Sequence, residues 1–315
     1  MTEPTTTSSS STSTTSTPAI DLFRELCVSR EVQDLSRGHV PLTVWLAAAD
    51  TETAAACQAG CCHPVSGPLA CHLIAACTHV GESVIHLGAT DHQVVSAALT
   101  AGCLPVAVFA DAGRAGVTWT RLARTHPDYD LEVTDLRVTD PADYGPSVLA
   151  DLAGKAGLVV AERSCPQALA AAGRPDSSPE AQVLDLADMA GLVKPGGHLA
   201  VVTGLHRADR VVDPLPEIIA RAREAGLVYL QHIIALRQPA RSDRIEPRLS
   251  RQAPAAWQKS PEYAGLPTSA RAHSDVLLFT KPMTPSSTSM PEPGPTEQHG
   301  EANEPATAAP AGGKL

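Results

Sequence analysis

Ser83–His92 reads SVIHLGATDH. An apolar run of strand length, SVIHL, meets a glycine and then Thr-Asp-His at the head of a segment with helical character, His92–Ala101. A buried strand that turns through glycine into a helix is the opening half of a β-α-β unit. How this turn is read decides the fold, because the chain on its C-terminal side repeats the pattern.

Leu104–Ala110 (LPVAVFA) reads as the next strand, with a helix over Trp119–Thr125. Leu131–Val138 and Gly157–Ala161 (GLVVA) supply two more strands. Helical period from Pro179 to Leu192 ends at the breaker Lys194-Pro195-Gly196-Gly197, and His198–Thr203 is a fifth strand. Pro214–Ala225 is a helix closed by Gly226, and strands follow at Leu227–Leu236 and Asp275–Thr280. Strands alternating with helices predict a mostly parallel sheet covered on both faces. Such sheets take ligands at the carboxyl ends of their strands.

On the N-terminal side lies CQAGCCHPVSGPLACHLIAACTH, Cys57–His79. It holds five of the eight cysteines and three of the twelve histidines. The spacings Cys57-x3-Cys61, Cys62-x8-Cys71 and Cys71-x5-Cys77 match no zinc pattern, and Cys-x2-Cys is absent. Leu69, Leu73, Ala76 and Cys77 share one helical face, so Cys77 reads as a small core residue. The expectation is no metal; a zinc module, if there were one, would draw on Cys57, Cys61, Cys62 and His63.

The flanks differ from the middle. Thr2–Pro18 is nearly all Ser and Thr, and Pro282–Leu315 is rich in Pro, Glu, Ser, Gly and Ala. Neither has the apolar surface to offset the entropy of ordering. The expected organisation is a disordered tail over 1–38, one domain over 39–282 and a second disordered tail over 283–315. No apolar run approaches a membrane span, and the N-terminus lacks the order of a signal peptide. A cytoplasmic protein with free thiols is therefore expected. A net charge of −10 argues against nucleic-acid binding by the whole surface. Between Arg221 and Arg271, however, nine arginines and lysines face four acids, a local basic stretch.

Several features in this order resemble the amino-directed DNA methyltransferases, which modify adenine N6 or cytosine N4. His63-Pro64 opens a helix, Pro68–Thr78, and Gly81-Glu82 precedes the strand SVIHL. The second strand ends at Asp111, with Trp119 eight residues on. LVVAERSCP then stands where the family has its catalytic tetrapeptide. LVKPGGHLAVVT resembles its Leu-Lys-Pro-Gly-Gly element, and AREAGLVYLQHIIAL and AHSDVLLFTKP its last two strands. The resemblance spans Leu42 to Lys281. It implies a seven-stranded, Rossmann-like class I methyltransferase sheet, mostly parallel, with helices on both faces. It also implies S-adenosyl-L-methionine as cofactor, if binding is retained.

Carried onto this chain, the resemblance places the cofactor at His86, Gly88, Thr90, Asp111 and Asp140. His86 stands where the family has an acid, and Thr90 and His92 where it has small residues. A Cβ there crowds a ligand and disfavours positive φ. Asp91 reads as a helix cap or as a ligand residue. Asp111 reads as an acceptor for ribose hydroxyls or as a surface-turn acid, and Asp140-Pro141 also as an ordinary turn.

The tetrapeptide, in which a polar residue and prolines precede an aromatic that stacks on a flipped base, is replaced by Glu162, Arg163, Ser164 and Cys165. A two-residue shift gives Ser164-Cys165-Pro166, with one proline and no ring. Glu162, Ser164, Cys165 and Pro166 are the catalytic candidates. Cys165-Pro166 inverts the Pro-Cys order of cytosine-C5 enzymes. The implied function is a DNA methylase, with DNA contacted through Arg237–Lys259. The alternative is a non-catalytic relative, a pseudoenzyme that binds nucleic acid or a protein partner.

Overall fold

The computed structural model describes residues 43–47, 64–139, 149–163, 185–204, 206–207, 211–238, 240–241, 244–245 and 272–283. All fall within one compact unit. The calls on residues 1–38 and 284–315, and on Cys57, Cys61, Cys62 and His63, lie outside them.

The chain builds β1 (Val44–Leu46), α1 (Gly67–Cys77), β2 (Ser83–Ala89), α2 (Gln93–Thr100), β3 (Leu104–Phe109), α3 (Ala112–Thr125), α4 (Asp128–Leu131), β4 (Asp135–Val138) and β5 (Ala156–Glu162). It continues through α5 (Leu186–Leu192), β6 (Val193–Thr203), β7 (His206–Arg207), β8 (Val211–Val212), α6 (Leu215–Glu224), β9 (Val228–Leu236), β10 (Ala240–Arg241), β11 (Arg244–Ile245) and β12 (His273–Thr280). The main sheet runs β1-β9-β12-β6-β5-β2-β3-β4. Every pairing in it is parallel except those of β12, which lies antiparallel between β6 and β9.

This is the mostly parallel, Rossmann-like α/β sheet with helices on both faces expected from the sequence, with two corrections. It has eight strands and not seven. Val44–Leu46 pairs in parallel with Ile234–Leu236 at the edge, and three residues are too short a run to carry a period of their own. A second correction concerns Leu131–Val138. Asp128–Leu131 is a helical turn, with Pro127 before it and acids in it, so the strand begins only at Asp135.

Side chains alternate between two helical layers. On one face Leu69, Leu73 and Ile74 of α1 and Val94, Ala97 and Ala98 of α2 pack on Val84, Leu158, Val160, Ala200 and Val276. Leu122 of α3 meets Phe109 beside them. On the other face Leu186 and Met189 of α5 and Ile218 and Ala222 of α6 cover Ile85, Leu87, Val159, Val201, Leu277 and Phe279. Burying one such side chain stabilises the fold by roughly 1.5–3 kcal/mol.

The Lys-Pro-Gly-Gly breaker does not precede a strand but interrupts one. Val193 faces Ala156 and His198 faces Leu158, so four residues of β6 are extruded between successive pairings. Gly196 takes φ +77° there, a conformation glycine adopts without steric cost. Lys281 Nζ donates to the carbonyls of Ala190 and Val193, both at 2.9 Å, and so closes the end of α5.

Cys77 and Cys103 are buried and not disulfide-bonded, and Cys77 joins the core as its helical face predicts. The thiol expectation is overturned at Cys71, which is disulfide-bonded to a cysteine outside the described residues. A compartment rule sets an average over proteins and does not decide a particular cysteine. Among the described residues no helix is long and apolar enough to cross a membrane, and no group of three His, Cys, Asp or Glu side chains is placed to hold a metal.

Candidate cofactor and catalytic site

β2 is the point at which the sheet order reverses, with β3 and β4 on one side and β5 and β6 on the other. The crevice at its carboxyl end is the position where an open α/β sheet takes ligands. Two groups that the sequence assigned to different roles meet there. His86 Nε2 lies 3.0 Å from Glu162 Oε1, although 76 residues separate them. The pair is buried, the side chains being 1% and 9% exposed.

Glu162 is held from three directions. Oε1 also accepts the backbone N–H of Val65 at 3.1 Å, just before α1. Oε2 accepts the Thr90 hydroxyl at 3.1 Å. His86 Nδ1 is buried without a partner, which fits the tautomer whose Nε2–H donates to the carboxylate. The carboxylate therefore joins β5, β2, the α2 entry and the α1 entry at one point. Three donors hold it, and none of them points to a proton to be abstracted.

Gly88 occupies φ +70°, and a Cβ there would lie 3.0 Å from the backbone oxygen of Glu162. Glycine is therefore required twice, by conformation and by the approach of the two strands. Thr90 is explained in the same terms: it stands where a small residue was expected because its hydroxyl reaches Glu162.

Asp91 Oδ1 accepts Gln93 N–H at 2.9 Å, so it caps the first turn of α2 from one residue outside the cap position. Burial first, and then the charge of Glu162, push its carboxyl up to about 6. His92 next to it is pushed down to about 4 by burial, with Arg121 and His126 adding to the effect.

Asp111 lies two residues past the end of β3, whose last residue, Phe109, has Ala89 as its register partner. It is the N-cap of α3: Oδ1 accepts Arg114 N–H at 3.0 Å and Oδ2 lies 3.3 Å from Arg114 Nε. Its side chain remains about half exposed, at 54%. Arg163, the second residue of the tetrapeptide position, sits on the α6 side, where burial lowers the pKa of its guanidinium against the opposing effect of Glu217.

Asp140, Ser164, Cys165 and Pro166 lie outside the described residues. So does most of Arg237–Lys259. At its start, Arg237 Nη1 donates to the carbonyl of Pro64 at 3.4 Å, and Ala240–Arg241 pairs with Arg244–Ile245 as a short antiparallel hairpin. The sequence missed the Val65 N–H, because a main-chain donor leaves no trace in residue type. The His86–Glu162 pairing is also invisible in one dimension, since it depends on strand order.

No family model matches the chain, and no curated protein does. Among solved structures, a TehB-like SAM-dependent methyltransferase from Corynebacterium glutamicum is 13% identical. That match covers 67% of this chain and 85% of the other, with a TM-score of 0.40. Precorrin-6y C5,15-methyltransferase from Geobacter metallireducens is 10% identical over 75% of this chain and 93% of its own, with a TM-score of 0.43. A putative methyltransferase of Haloferax volcanii, solved with the methyltransferase activator Trm112, is 15% identical over 65% and 84%, with a TM-score of 0.42. At these values the assignment of the fold rests on the strand order and its single antiparallel strand.

Proposed function

We propose that the chain binds S-adenosyl-L-methionine at the carboxyl ends of β2 and β3 and works as an amino-directed methyltransferase. One observation carries the reading: a positive-φ glycine, Gly88, turns the strand at the sheet's reversal point, with the Asp111 carboxylate at the end of the neighbouring strand. The residues present fit the cofactor. Gly88 turns the strand at φ +70°, and Asp111 has a half-exposed carboxylate suited to ribose hydroxyls. The resemblance adds Asp140, outside the described residues, as the residue beside the adenine. When bound, the cofactor supplies an electrophilic methyl group on a sulfonium. The chain's own residues then hold, orient and exclude water, which is the main source of rate in such a transfer.

The target class, an exocyclic amino group of a DNA base, follows from the resemblance in element order. The arginines between Arg237 and Lys259 would contribute phosphate contacts, which position a duplex without reading its sequence. Glu162 is not the base in this reading, because Val65, His86 and Thr90 take three of its acceptor positions and tie it into the fold. That occupation, with the missing aromatic, favours a second reading in which the fold binds nucleic acid or a protein without transferring a methyl group.

Asp111→Asn tests the cofactor reading cleanly. Asparagine caps helices as well as aspartate does, so stability should be kept. Affinity for S-adenosylhomocysteine should fall by about 1–3 kcal/mol, the cost of unpairing polar groups in a site. Wild-type protein that ignores the cofactor at millimolar concentration in calorimetry refutes the reading. DNA affinity that does not fall with rising salt removes the DNA target.

A further inference from the structure

We infer that Glu162 takes over, from the neighbouring strand, the part of the acid that His86 replaces: it receives the α-ammonium group at the amino-acid end of the cofactor. The inference rests on the cofactor reading above and gives it a second anchor, at the opposite end of the ligand from Asp111.

The placement follows from the register. His86 pairs with Val160 and Leu87 with Ala161, so Glu162 is the next residue of β5, level with the Gly88 turn. Gly88 is the residue that allows the approach, since a Cβ there would meet the Glu162 carbonyl at 3.0 Å. A carboxylate delivered by β5 thus enters the space beside the first strand's turn. It does so on the same face as His86, where the imidazole donates to it.

The carboxylate also has room for one more donor. An ionised carboxylate offers about four acceptor positions. Val65 and His86 fill two on Oε1 and Thr90 one on Oε2, which leaves a position on Oε2 beside the Thr90 side. Among the described residues no lysine or arginine lies within ion-pair distance of this nearly buried group. A buried carboxylate without a lysine or arginine beside it is costly, and its charge is, after burial, the second cause that raises the neighbouring Asp91 to about 6. His86 Nδ1, buried and without a partner in the same cluster, marks the pair as incompletely satisfied by the protein alone. A ligand ammonium supplies the missing cation; the methionine end of the cofactor carries one, and its adenosine end does not.

The test separates the two ends of the ligand. Calorimetry would compare S-adenosylhomocysteine with 5′-methylthioadenosine, which lacks the amino-acid end. Glu162→Gln should weaken S-adenosylhomocysteine by roughly ten- to hundredfold, the worth of a charge-assisted contact. It should leave methylthioadenosine within about threefold, well under one such contact. The exchange variant, His86→Glu with Glu162→His, should recover S-adenosylhomocysteine. Wild-type protein gives a reading that needs no variant: S-adenosylhomocysteine lacking its α-amino group should bind at least about tenfold more weakly than the parent. Equal loss for both ligands in Glu162→Gln, or no penalty for removing the amino group, overturns the inference while the cofactor reading stands. Wild-type protein binding neither ligand overturns both.

Discussion

Replacing Asp91 by asparagine should make the protein more stable, and only above the carboxylate range. In the folded chain burial and the charge of Glu162 move this acid from an ordinary 3.8 to about 6. The folded state therefore binds the proton more tightly than the unfolded state does. Its favourable contribution is complete below about 3.8 and is lost as pH rises through about 6. Above that, an ionised Asp91 is a liability, and a displacement of this size corresponds to at most about 3 kcal/mol. Asparagine keeps the oxygen that accepts Gln93 N–H and removes the charge. Part of the full figure is recovered by solvent at the partly open site, so a gain of about 1–2 kcal/mol at pH 8 is expected. The assay is urea denaturation of wild type and Asp91→Asn from pH 4 to pH 8, read by circular dichroism. The difference between the two curves should grow with pH through about 6 and vanish near pH 4. A gain that does not change with pH, or none at pH 8, refutes the reasoning.

Three other outcomes can be checked by the same denaturation assay. Gly88→Ala places a Cβ at φ +70° and 3.0 Å from a backbone oxygen, and should cost about 1–3 kcal/mol. Ser96→Ala leaves His126 Nε2 without the 2.7 Å hydroxyl contact that, with Asp130 at 3.3 Å on Nδ1, ties α2 to α3 and α4; a loss of about 1–2 kcal/mol is expected. Lys194→Met removes the ammonium from Glu82. Burial raises that carboxyl, but the Lys194 bond and the His79 N–H outweigh it and hold it low. The stability it contributes is present above the ordinary carboxylate range and is lost as pH falls through the lowered value. The variant should accordingly lose roughly 1 kcal/mol at neutral pH and little in acid.

The sheet was legible wherever burial on both faces produced an unbroken apolar run. SVIHL, LPVAVFA and GLVVA became β2, β3 and β5 within one or two residues, because each is flanked by glycine or polar turns. Val44–Leu46 was not legible, since its place is fixed by β9 and not by its own pattern. Helix α3 was longer than Trp119–Thr125 because the Asp111 cap starts it at Ala112, ahead of the first strongly apolar residue. At the site, the sequence singled out His86, Gly88, Thr90 and Glu162 one at a time, from their positions in a resemblance. It could not join them, since a contact between Glu162 and His86 depends on which strands are neighbours. The departures from the family's residue types were read as losses; in three dimensions three of them form one hydrogen-bonded group.

The last strand of the sheet is also one of its innermost. β12 lies between β6 and β9, and β1 is joined to the sheet only through β9. A chain emerging from the ribosome can therefore assemble β2 through β6 early, while β1 and β9 have no partner in that body until Thr280 has appeared. Completing the sheet thus requires an insertion, and the two apolar edges that β12 will separate stay uncovered until then. In a cell-free translation arrested before His273, protease should trim the chain back toward β6; release of the full-length chain should bring protection to both sides at once.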